Sequence, residues 1–401
     1  MFCLTTCFMD TILMNRFALS IISGCTLAVL LIAGCNKSDS GPSGGGPKIT
    51  SPSSTDSDFP IKAGKYTILG ISTDDNDLSR AKSNAEVAIS LYPDLKCMVG
   101  LWAYNPPAIL QAIEGAGKEG EISVVAFDED AVTLKAIEEG KIQGTIVQDP
   151  FAFGYKSVEY LSAFIREQPV DVPEDKMIFI PFKVIQKDNV KDFKSELQRI
   201  NDGKGTQPAH DRDDYDTNRK VSIAFLTNTV DPFWYLAEAG VRRAEPVFNA
   251  TCEVYHPPQG TVEEQQRFIE KIQTNEVEGL AISPIDPKNQ SKMINDLAEK
   301  MVIICHDSDA PNSKRLLYVG TGNYLAGRAA GKLVKEAIPD GGEIMIFVGK
   351  MEVLNAQERS QGVIDELLGK PMPGEADTTD TEPSEAEKSE TPATEEPAVS
   401  E

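Results

Sequence analysis

Short apolar runs alternate with longer stretches whose apolar positions recur every three or four residues, and this alternation fills two segments, 64–200 and 220–370. In the first, strands are expected at 66–71 (YTILGI), 97–101 (CMVGL), 122–127 (ISVVAF), 144–147 and 177–185, and helices at 78–91, 106–116, 130–139 and 154–167. In the second, strands are expected at 221–226 (VSIAFL), 251–255, 279–282, 301–305 (MVIIC), 316–319 and 343–348 (EIMIFV). Its helices fit 232–248, 261–275, 287–299, 323–337 and 356–368. Near-continuous apolar strands between amphipathic helices are the pattern of sheets covered on both faces. The chain therefore predicts an α/β protein with two doubly wound parallel sheets. In such sheets ligands bind beyond the carboxyl ends of the strands.

What flanks these segments cannot build a core. Residues 36–63 are dominated by Ser, Gly, Pro and Asp and predict a flexible stalk. Residues 201–219 form a polar linker, and 371–401 form an acidic tail with ten acids against one lysine. Residues 1–35 read as a secretory signal: Arg16, a short interrupted apolar run, then Ile32-Ala33-Gly34-Cys35, with Met14 a better start than Met1. The small residues before Cys35 resemble a bacterial lipobox, which implies lipidation of Cys35 and a membrane lipoprotein of the cell envelope facing the periplasm. A plain signal anchor is the alternative reading of this segment.

The formal net charge of −23 argues against nucleic acid, whose binders need a basic face. Cys3, Cys7 and Cys25 leave with the signal, so Cys97, Cys252 and Cys305 remain as expected buried thiols. No Cys/His cluster has zinc spacing, and no metal or cofactor is expected.

The strand ends carry short polar groups and rings. Residues 221–226 lead into Thr227-Asn228-Thr229-Val230-Asp231-Pro232-Phe233-Trp234, and 279–282 into Ser283-Pro284-Ile285-Asp286. Residues 301–305 lead into His306-Asp307, 97–101 into Trp102-Ala103-Tyr104-Asn105, 122–127 into Asp128, and 144–147 into Gln148-Asp149. Carboxylates and amides exchange hydrogen bonds with hydroxyls, while flat rings cover the C–H face of a sugar. A single Asp after a strand would more simply be a helix cap; six such ends together point to a binding cleft.

The stretches VSIAFLTNTVDPFW, LAISPIDP, MVIICHDSDAP, NYLAGRAAGKLV, NAQERSQGVIDELL, VVAFDED and GKIQGTIVQDPFAFGYKSVE resemble the periplasmic sugar-binding proteins of ABC importers, the ribose-, galactose- and xylose-binding group. The resemblance covers about 300 residues and implies the type I periplasmic binding protein architecture: two lobes joined by a three-strand hinge. It implies ligand contacts from Asp231, Asp307, Asp128 and Gln148, and stacking by Phe233 and Trp234. Ser283 falls where ribose proteins place Asn, Ser308 follows Asp307 in place of Arg, and Gln357 falls at another Arg position. Without both guanidiniums, ribose itself is not the expected ligand. Which of Trp102, Tyr104 and Asn105 faces ligand is left open.

The order of the halves departs from the family. The segment beginning VSIAFLTN, which comes first in the family, here comes second, so the chain reads as circularly permuted, with crossings between lobes near 148–150, 175–178 and 319–322. Lobe one would hold 221–319 with 149–175, and lobe two 321–370, 64–148 and 177–192. Residues 201–219 could span roughly 60 Å at about 3.3 Å each, enough to join the old ends. A monomer is expected, and a swapped dimer is the other way to satisfy this order.

The resemblance implies a sugar-capturing protein that closes by hinge motion and delivers to an importer permease. A sensory lipoprotein that signals to a membrane kinase or chemoreceptor is the alternative. Enzymatic activity is not expected: Gly320-Thr321-Gly322 lacks the third glycine of a dinucleotide loop, since position 325 is Leu325. A sugar-responsive transcription regulator would need a helix-turn-helix and a basic face.

Overall fold

The computed structural model describes residues 59–210 and 214–373. The chain opens with β1 (Ile61–Ala63), β2 (Tyr66–Thr73), α1 (Leu78–Leu91), β3 (Leu95–Gly100), α2 (Asn105–Gly115), β4 (Ser123–Phe127) and α3 (Ala131–Glu139). It continues with β5 (Gly144–Val147), α4 (Pro150–Ile165), β6 (Met177–Phe179), β7 (Lys183–Ile185) and α5 (Val190–Asn201). The later segment holds β8 (Val221–Leu226), α6 (Pro232–Ala244), β9 (Ala250–Tyr255), α7 (Val262–Thr274), β10 (Gly279–Ile282) and α8 (Pro287–Ala298). It ends with β11 (Val302–His306), β12 (Tyr318–Gly320), α9 (Asn323–Ala337), β13 (Gly342–Val348) and α10 (Leu354–Leu368).

These strands form two sheets, ordered β1-β2-β13-β3-β4-β5-β7 and β6-β12-β11-β10-β8-β9. Pairing is parallel except at β1 and β7, the edges of the first sheet. Each sheet has an apolar cluster on either face, which is why runs such as VSIAFL contain almost no polar residue. Helix starts follow their caps: Asp77, Asp130, Asp149, Asp231, Thr261 and Asp286 each accept a backbone N–H of the first turn.

Two helix crossings are unusually close. A Cβ on Gly154 of α4 would lie 1.9 Å from the Ala237 carbonyl of α6, and one on Gly240 would lie 1.9 Å from the Phe151 carbonyl. Helices α9 and α10 repeat the device, with Gly327 facing the Arg359 carbonyl and Gly362 that of Tyr324, both at 2.2 Å. Each crossing fixes a helix that supplies the cleft: α6 carries Asp231 at its start and α10 carries Arg359.

Four expectations need correction. The run 177–185 is two strands in different sheets, because Pro181, having no N–H, interrupts the ladder and the chain changes lobe there. The second crossing is therefore at 180–182, not 175–178; it is tied to the third by Ile180 N–H donating to Gly320 O at 2.8 Å. The stalk stops short of 63, since Ile61–Ala63 pairs with β2. Helix α4 starts at Pro150, not 154, because Asp149 caps it. Helix α5, not foreseen, buries only Val190 and Phe193. Cys35, the signal segment and the acidic tail from 374 lie outside the described residues. No helix among the described residues is long and apolar enough to cross a membrane.

Candidate functional site

The carboxyl ends of both sheets open on one cavity of about 410 Å³ between the lobes. The first sheet contributes Trp102, Tyr104, Asp128 and Gln148; the second contributes Asn228, Asp231, Phe233 and Asp307; α10 adds Arg359.

Asp128 and Asp307 are equivalents in the two lobes. Each directly follows a central strand, β4 or β11, and each adopts a left-handed backbone, at φ 64° and 58°. That conformation costs a non-glycine residue about 1 kcal/mol and is best tolerated by Asx types. Neither residue caps a helix. Asp128 accepts from Gln148 Nε2 at 2.9 Å, and Asp307 from Ser283 Oγ at 3.1 Å and Asn228 Nδ2 at 3.4 Å. Burial pushes both carboxyls up, that of Asp307 to about 7. Asp231 both caps α6, accepting from Trp234 N–H at 3.3 Å, and lines the cavity; burial raises it to about 6.

Arg359 is almost wholly buried. Its Nε donates to Asn323 Oδ1 at 2.9 Å and its Nη1 to Leu101 O at 3.0 Å. Its guanidinium lies 4.8 Å from the Phe127 ring and 4.0 Å from Asp128 Oδ2. Nη2 has no hydrogen-bond partner among the described residues, nor do Gln148 Oε1, Trp102 Nε1 and Asn355 Oδ1 along the same wall. Buried polar atoms without partners are costly, so these mark where a polar ligand would bond.

Gln357 does not reach the cavity: it is exposed and donates to Met351 O at 2.7 Å. A guanidinium nevertheless lines the cavity, from Arg359 two residues on, a position at which none is expected from the sequence. Ser283 and Asn105 sit one layer back. Ser283 holds Asp307, while Asn105 donates to Asp74 Oδ2 at 2.9 Å and accepts from Trp102 N–H at 3.0 Å. Tyr104 lines the cavity but spends its hydroxyl on Asp74 at 2.5 Å. Trp102 faces in with its ring over Gly349, where a Cβ would strike it at 1.9 Å. Phe233 is half-buried at the wall, whereas Trp234, 2% exposed, is largely core and meets His306 edge-on at 5.5 Å. Cys97, Cys252 and Cys305 are free and buried, as expected.

The chain is similar to several known proteins. The ribose import binding protein RbsB of Salmonella typhimurium is 26% identical over 110 residues, 27% of this chain and 37% of that protein. A solute binding protein from Burkholderia graminis solved with D-arabinose shares 26% identity over 39% of this chain and 54% of its own, at a TM-score of 0.37. GanP, a glucose-galactose binding protein from Geobacillus stearothermophilus, shares 26% over 37% of this chain and 54% of its own, at 0.36. The chain thus spans little more than a third of the curated relative and about half of these structures. The model of the periplasmic binding protein domain, by contrast, matches residues 56–169 and 223–393, which take in most of both lobes and all the groups at the cavity, and the chain belongs to that family.

Proposed function

We propose that this protein captures a monosaccharide-like polyol between its lobes by hinge closure, outside the cytoplasm, tethered through a lipid on Cys35, and delivers it to an ABC importer. The observation that carries the reading is the pairing of half-sites: Asp128, Gln148 and Trp102 face Asn228, Asp231, Phe233 and Asp307 across one cavity, between two sheets that exchange the chain near 148–150, 180–182 and 319–322 and again between β7 and β8. Unpartnered donors and acceptors beside aromatic rings suit a ligand with hydroxyls on its edge and C–H groups on its face. A ligand touching both halves favours the closed form by its differential affinity for it. Thermal-shift and calorimetric screening against pentoses, hexoses and sugar acids tests this, with X-ray scattering for compaction. Saturable binding without compaction would sink the clamp; no binding in any series would sink the capture reading. Cys35→Ala should release the protein from the membrane fraction, and retention there would dismiss the anchor.

We also propose that the halves are circularly permuted relative to the family. Strands β13 and β2 are parallel neighbours, and α10 packs on β1 and β2, so β13-α10-β2 has the shape of a βαβ unit whose last connection is missing. Joining 370 to 61, so that β1 is kept, and reopening the chain at 203 should give a folded protein with unchanged ligand affinity. An insoluble product would count against permutation.

A further inference from the structure

The charges around the cavity restrict what it can hold, and this inference rests on the capture reading above. Three carboxylates line it, Asp128, Asp231 and Asp307, against one buried cation, Arg359; Lys350, also at the wall, is half-exposed. Arg359 gives two of its donors to neutral acceptors, Asn323 Oδ1 and Leu101 O, and comes no closer than 4.0 Å to Asp128. Glu129, beside Asp128, adds a further carboxyl whose Oε2 has no partner among the described residues. Buried acids therefore outnumber buried bases, an arrangement that is costly unless the acids take up protons or something else supplies positive charge.

The three carboxylates are not equivalent. Asp128 is held by Gln148, and Asp307 by Ser283 and Asn228. Asp231 accepts only from backbone N–H groups, those of Phe233 and Trp234, and no side chain among the described residues donates to it. Its free lone pairs stand at the same cavity wall as the Phe233 ring, with Trp102 of the other lobe lining the same space. An ammonium offers three donors and full charge to such a carboxylate and gains from a neighbouring ring face, whereas a hydroxyl offers one donor and leaves the charge in place.

We infer that the ligand is a cationic polyol, an amino sugar or amino alditol, whose protonated amine seats against Asp231. The repulsion among Asp128, Asp231 and Asp307, which helps hold Asp231 and Asp307 above the ordinary carboxylate range, is then relieved on binding.

The test is calorimetry on the purified full-length protein with glucosamine, galactosamine and mannosamine, each beside its parent hexose and its N-acetyl derivative. The amine should bind tighter than both neutral forms by roughly tenfold or more. Asp231→Asn should erase that preference, since Asn caps a helix as well as Asp does but carries no charge. Hexose binding that equals or exceeds amine binding overturns the inference and leaves sugar capture standing. No binding in any of the three series overturns the inference, and the capture reading falls with it only if pentoses and sugar acids also fail to bind. If Asp231→Asn does not fold, the amine against its N-acetyl derivative in the wild-type protein still decides.

Discussion

Replacing Arg359 by Met removes the charge and keeps most of the stem. The guanidinium is buried, 4.0 Å from Asp128, over the Phe127 ring, and bonded to Asn323 and Leu101. Breaking a buried charge arrangement by deleting one partner costs about 3–5 kcal/mol. Two stranded acceptors cost about 1–3 kcal/mol each when nothing replaces the donor. These terms overlap, because the same side chain makes every contact, so the net expectation is a loss of about 4 kcal/mol. That is a large part of the roughly 5–15 kcal/mol that holds a domain folded. Urea denaturation followed by circular dichroism should show a lower midpoint at unchanged slope. The electrostatic share is separable, since Asp128→Asn in the Arg359→Met background removes the carboxylate left without its cation. The double variant should recover at least a third of the loss, or about 1.3 kcal/mol. A single variant within about 1 kcal/mol of wild type, or a double variant no better than the single, would refute the view that this guanidinium balances the cleft.

Three further outcomes are expected. Asp307, pushed up to about 7 by burial, binds a proton in the folded state over a range where the unfolded chain, near 3.9, does not; stability should therefore fall as pH rises from about 4 to 7. Asp307→Asn should make that slope shallower in thermal midpoints without abolishing it, since Asp74 and Asp231, both raised to about 6, titrate in the same window; an unchanged slope would place the titration elsewhere. Gly240→Ala drives a Cβ to 1.9 Å from the Phe151 carbonyl and should destabilise by about 1–3 kcal/mol through separation of α4 and α6, visible in denaturation midpoints. Gln357→Ala, on the exposed face of α10, should leave ligand affinity within about twofold of wild type by calorimetry.

Most of the fold could be read from the chain because its strands are buried on both faces. Runs such as Val221–Leu226 and Gly279–Ile282 hold almost no polar residue to blur their ends, and an Asp-Pro pair marks the first residue of α6 and α8, as it does of α4, where the expected start fell four residues late. Where burial is partial the pattern weakens. Helix α5 carries Val190, Phe193, Leu197 and Ile200 at helical spacing, but only the first two are fully buried and every other position is polar, so it is easily taken for part of the linker that follows. The apolar run around Pro181 looks continuous because both flanks are apolar; only the missing N–H of that proline tells of a chain passing between sheets.

At the site, residues directly after strands are easier to place from sequence than residues further along a helix. Asp128, Asp307 and Gln148 each directly follow a strand and line the cavity, although Ser283, directly after β10, sits one layer back behind Asp307. On a helix, two positions apart is about 200° of rotation, so Gln357 and Arg359 point to opposite sides, and a slip of two residues exchanges a surface amide for a buried guanidinium. Arg359 also depends on an unusually held helix. Helix α10 follows β13 and packs beside β2, yet the backbone leaves it at Gly369 without entering β2, so no short connection anchors its end. The anchoring comes instead from α9: the glycine pair Gly327 and Gly362 brings the axes together, Arg328 donates to Glu366 at 2.8 Å and to Lys370 O at 2.7 Å, and Lys335 meets Glu366 at 2.8 Å. The cavity's buried cation is thus positioned through α9, which holds α10 by these contacts and meets Arg359 itself through Asn323.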